Sequence, residues 1–88
     1  MNITVFQANG NTFSMQIEDH DLGAMQRIVG GLIEAAYPAY PLDGIVIIVD
    51  EEGLLKNKPS NRALTKLYGS PIVGDGFIIT RADWEKDT

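Results

Sequence analysis

The sequence predicts a single small α+β domain, mainly an antiparallel sheet of five or six strands with two short helices. Three observations carry this. Thr12 to Ile17 alternates strictly, with Phe13, Met15 and Ile17 on one side and Thr12, Ser14 and Gln16 on the other. That is the period-two signature of a strand with one wet face. Ile45 to Val49 is an unbroken β-branched run, suited to a strand buried on both faces. Leu22, Met25, Ile28 and Val29 fall at helical spacing and form an amphipathic stripe.

Taken in order, Ile3 to Ala8 reads as the opening strand, and Asn9-Gly10-Asn11 is a hairpin turn leading into Thr12 to Ile17. Glu18 to Asp21 is an acidic start for the first helix, with Asp19 or Asp21 as its cap. Gly30-Gly31 stops that helix, one glycine taking the left-handed position. Leu32 to Tyr37 reads as a strand, and Pro38 to Gly44 as a loop broken by two prolines and a glycine. After Ile45 to Val49, the turn Asp50 to Gly53 leads to Leu54-Leu55, a short return strand. Ser60 is placed as the cap of a helix over Asn61 to Tyr68, with Ala63, Leu64 and Leu67 facing the core. Gly69 ends it, Pro71 to Gly76 turns, and Phe77 to Thr80 is the last strand. Arg81 to Thr88 is a polar tail whose Trp84 packs back on the domain. The 88 residues thus make one domain, 1–88, near the lower end for a comfortable core.

Charge narrows the function classes. The net charge is −5, so duplex nucleic acid, whose binding rests on phosphate neutralisation, is a poor partner. No apolar run reaches the roughly 18 residues of a membrane span. The chain contains no cysteine, which excludes disulfides and thiolate metal sites. Its first residues lack a secretion-signal pattern, and a cytoplasmic location is expected.

Residues 1–44 hold five acids, Glu18, Asp19, Asp21, Glu34 and Asp43, against Arg27 alone. In the second half, Lys56, Lys58, Arg62 and Lys66 follow one another with no acid between them. Lys56-Asn57-Lys58-Pro59-Ser60-Asn61-Arg62 is therefore the most site-like stretch. Helix-start N–H groups beside a guanidinium and two ammonium groups would hold a small anion. The competing reading is a Ser-capped helix with Arg62 paired to Glu34 or Asp50. The glycines at 30–31 or 74–76 would leave room for a ligand, and Tyr37, Tyr40 or Tyr68 would stack on a base. Asp50-Glu51-Glu52 is better read as a solvated turn than as a cation site. His20, alone among acids, lacks the nucleophile and orienting partner that catalysis needs. No cofactor fingerprint is present, and the chain is expected to act by binding, not as an enzyme.

The segments Gln26-x-x-Val29-Gly30-Gly31-x-Ile33-Glu34, Asp50-Glu51-Glu52-Gly53, Asn61-Arg62-Ala63 and Gly74-x-x-Phe77-Ile78 occur in this order along most of the chain. On them, the sequence resembles a family of small phage and mobile-element proteins catalogued as a domain of unknown function. Such relatives often carry Asn where this chain has Asp50. The resemblance implies the fold and a phage or mobile-element origin but carries no established activity; small phage proteins often counter host defence, and such a role is the expectation. The expected function is sequestration of a small anionic, nucleotide-derived ligand by Ser60, Asn61, Arg62, Lys56 and Lys58. The alternative is a protein–protein inhibitor that covers a basic host surface with its acidic half. A homo-oligomer is also expected, formed through the apolar Ile45 to Val49 strand and the Pro-Tyr loop.

Overall fold

The computed structural model describes residues 1–86. It contains five strands, β1 (Asn2–Phe6), β2 (Thr12–Gln16), β3 (Ile33–Ala36), β4 (Ile45–Asp50) and β5 (Gly76–Thr80). Three helices accompany them: α1 (Leu22–Val29), α2 (Arg62–Tyr68) and α3 (Arg81–Trp84). The strands form one antiparallel sheet in the order β2-β1-β5-β4-β3. The expected α+β class and the five-stranded antiparallel sheet are both present.

Period-two alternation sorts the sheet residues onto two faces. On one, Ile3, Val5, Val46, Ile48, Phe77 and Ile79 pack against Met25 and Val29 of α1. On the other, Ile47 packs with Leu64 of α2 and Ile72. The β4 run is therefore buried within one copy by helices on both sides. Val46, Ile47 and Ile48 are fully buried, while Ile45 and Val49 keep partial exposure. Both glycine-ended helices stop where the sequence indicates: Gly30 has φ 82° and Gly69 φ 86°, values that glycine reaches without strain.

The cap of α1 is Asp21, one of the two residues expected there, whose Oδ1 accepts the Ala24 N–H at 3.0 Å. Several expectations are corrected. Asn61, not Ser60, caps α2: its side chain accepts the Leu64 N–H, while Ser60 bridges Val73. Ala63 is exposed. Leu54-Leu55 is a turn, not a strand. The segment read as a polar tail begins with α3, capped by Thr80 Oγ1 accepting the Asp83 N–H. Trp84 does pack onto the domain and donates to Tyr37 Oη at 3.1 Å. Residues 87 and 88 of that segment lie outside the described residues. In β2 all five residues are exposed, so it has two wet faces instead of one. α1 lies over β3, β4 and β5 and leaves β2 uncovered.

Candidate functional site

Between β4 and α2 the chain makes a compact excursion closed on itself. Gly53 N–H donates to Asp50 O, Lys56 N–H to Glu52 O, and Lys58 N–H to Gly53 O. The excursion carries Lys56 and Lys58 back over the end of α1. The Asp50 side chain is fully buried there. Its Oδ2 lies 2.8 Å from Lys56 Nζ and 2.6 Å from Lys58 Nζ, and its Oδ1 accepts the Glu52 N–H at 2.9 Å. Burial alone would push the Asp50 carboxyl up. The two lysines and the Glu52 N–H outweigh it and hold the group well below the usual carboxylate range.

The lysines also serve the helix. Lys58 Nζ donates to Val29 O at 2.7 Å and Lys56 Nζ to Gly30 O at 3.2 Å, satisfying carbonyls that the end of α1 leaves without intrahelical partners. Positive charge is favourable at that end of a helix. The glycines make room for these lysines. A Cβ on Gly31 would lie 2.5 Å from Lys56 Nζ and 2.7 Å from Asp50 Oδ1, and one on Gly74 2.7 Å from Lys58 Cδ. Gly30, Gly31, Gly74, Lys56, Lys58 and Asp50 are thus brought together, around an internal carboxylate.

Asn61 is likewise committed to the fold. It is buried, and its Nδ2 donates to Phe6 O at 2.8 Å and Gly74 O at 2.9 Å while Oδ1 holds the cap. Arg62 stands apart from this cluster. It is exposed and, among the described residues, pairs with neither Glu34 nor Asp50. It shares an open recess with Ser60, Ala63, Thr65 and Lys66. None of the three tyrosines lines that recess. Tyr37 has the Arg81 guanidinium 5.5 Å from its ring centroid, Tyr40 projects from the β3–β4 loop at 86% exposure, and Tyr68 lies at the far end of α2. The sequence-selected site therefore divides into an internally engaged lysine cluster, an isolated arginine and dispersed tyrosines.

Elsewhere, His20 Nε2–H donates to Lys86 O at 2.7 Å. Glu51 and Glu52 are exposed. Among the described residues, no three of His, Asp and Glu converge as a metal site would require. No helix is long and apolar enough to cross a membrane.

A feature that the sequence reading missed lies on the α2 face. A groove of about 200 Å³ runs between the β3–β4 pair and α2, floored by Val49, Ile72 and Val73 and walled by Leu54 and Tyr68. Glu34 and Glu51 stand at its rim. Leu54 is 76% exposed; an apolar pair between acidic and basic stretches was the one sequence signal for it.

Searches of curated proteins and of solved structures find no match. A family comparison matches residues 1–88 in full. The chain belongs to the DUF3846 family, a domain of unknown function.

Proposed function

We propose that the protein acts by binding another protein, without turnover, and that the groove beside Tyr68 is its contact surface. The observation that carries this reading is the match between apolar floor and carboxylate rim. Val49, Leu54, Tyr68, Ile72 and Val73 would take the aliphatic stem of a Lys or Arg side chain, and Glu34 and Glu51 its cationic head. The lysines that anion capture would need are spent on Asp50 and the end of α1. The two groups with the clearest acid–base potential, Asp50 and His20, are engaged in internal bonds. With the phage or mobile-element origin that the sequence resemblance implies, the partner is a host protein with a basic contact face, met in the cytoplasm. Tagged wild-type protein is expected to retain one stoichiometric partner that salt releases. A Glu34→Lys, Glu51→Lys variant should lose that partner at unchanged melting temperature. Equal retention by both proteins would overturn the reading.

Anion binding is a second reading, favoured by one arrangement. Arg62 and Lys66, four residues apart on α2, are both exposed and have no carboxylate partner among the described residues. Like charges at that spacing repel, and a phosphate between them would remove the repulsion. A charge-assisted contact contributes about 1.5–3 kcal/mol, so Arg62→Ala should weaken binding of a nucleotide-derived anion by roughly tenfold to a hundredfold. Calorimetry that gives the same dissociation constant for both proteins would end this reading.

A further inference from the structure

We propose that β2 is a self-pairing edge, through which two copies join antiparallel about a two-fold axis at Ser14 and continue the sheet across both. Ile17 N–H donates to Met1 O, Met1 N to Ile17 O, and Gln7 N–H to Asn11 O. Within the register Ile3↔Met15 and Val5↔Phe13, this alternation turns the backbone of Phe13 and Met15 towards β1. The N–H and C=O groups of Thr12, Ser14 and Gln16 therefore point outward along the open edge.

Edge strands are normally blunted by charge, proline or a bulge. The opposite edge follows that rule, with Glu34 within β3 and Pro38 just after it. Thr12–Gln16 contains no charge, proline or glycine, and every residue in it is exposed.

The strand is complementary to itself in one register. With the axis at Ser14, Ser14 meets Ser14 of the second copy and Thr12 meets Gln16. These are the residues whose backbone groups are free to exchange bonds. Phe13 then faces Met15 in the closely spaced positions, on the face that carries α1, and the same contact repeats across the axis. Phe13 is 43% exposed and Met15 36%, and sulfur–aromatic contacts are favourable. An axis at Phe13 or Met15 would present backbone groups already bonded to β1. An axis at Thr12 or Gln16 would leave most of the strand unpaired.

Charge does not oppose the pairing, although each copy carries −5. The acids next to the strand, Glu18 and Asp19, fall at opposite ends of the joint. The two copies of Glu18 lie about 27 Å apart at the rise of an extended strand, several times the screening length of about 8 Å at physiological salt. A joint of this length is at the small end of stable interfaces, so the dimer forms in a concentration-dependent way.

Sedimentation of wild-type protein from about 10 to 500 μM should show monomer passing to dimer. Ser14→Pro removes only an outward N–H, a place where an edge strand accepts proline, and should remain monomeric throughout with its fold intact by circular dichroism. Cysteine placement reads the register, since the chain has no cysteine of its own. Ser14→Cys brings two Cα atoms to about 5.5 Å, within disulfide reach, and should cross-link on oxidation. Gln16→Cys, whose copies lie about 13 Å apart, should not. A wild type that stays monomeric at 500 μM, a Ser14→Pro protein that dimerises as well as wild type, or cross-linking at position 16 in place of 14 would each overturn the proposal.

Discussion

Asp50→Ala is expected to destabilise the protein by about 3 kcal/mol, the lower end of the range for breaking a buried ion pair. Lys58 keeps its bond to Val29 O but is only 20% exposed, so its charge stays partly buried without a counter-ion. Lys56, at 40% exposure, can turn to water, which limits the loss. The Glu52 N–H also loses its acceptor. In a domain of this size about 3 kcal/mol corresponds to a melting-temperature drop of roughly 12–24 °C. The pH dependence has a definite sign. The folded-state pKa of Asp50 is lowered, so its contribution is complete above the unfolded value of about 3.9 and is lost as pH falls below it. The gap between wild type and Asp50→Ala should therefore be full at pH 7 and shrink steadily below about pH 4. Thermal melts across that range check it, and a gap independent of pH would refute the ion-pair account.

Where local chemistry decides, the fold is legible in the sequence. The Thr12 to Gln16 alternation, the Ile45 to Val49 run and the Asp21-to-Gly30 helix all correspond to elements of the structure. These depend on side-chain period, capping and positive φ, which act within a few residues. Strand order is not legible, because nothing near Thr4 specifies that it should sit opposite Ile78. The internal engagement of the candidate lysines was illegible for the same reason. Lys56 and Lys58 do hold an anion, but it is the carboxylate of Asp50, together with the helix-end carbonyls of Val29 and Gly30. Gly30, Gly31 and Gly74 do leave space, and the lysines fill it. A basic, glycine-flanked segment looks alike in sequence whether its counter-ion is a ligand or a residue of the same chain. Only the three-dimensional return of the chain over α1 separates the two.

Asn61 marks the sharpest contrast between a ligand residue and a structural one, and its replacement is expected to cost about as much as that of Asp50. Ser60 and Asn61 are both good caps, so sequence cannot choose between them. The choice is made by Phe6 O and Gly74 O, two carbonyls from distant segments that need a donor and receive it from Asn61 Nδ2. A serine hydroxyl has one proton and cannot serve both while capping α2. Asn61→Ala removes the cap, about 1 kcal/mol, and leaves two carbonyls without their donor, about 1 kcal/mol or more each. A total near 3 kcal/mol follows. Asn61→Asp separates the contributions, since it keeps the acceptor for the Leu64 N–H but turns two donors into a buried charge facing two carbonyl oxygens. It should be at least as destabilising as Ala at pH 7 and should recover as pH falls and the introduced carboxyl takes up a proton. If Asn61 were instead a ligand residue, both variants would melt close to wild type. Denaturant titration of the three proteins at pH 7 and pH 4 distinguishes these outcomes, and near-equal midpoints would sink the structural assignment.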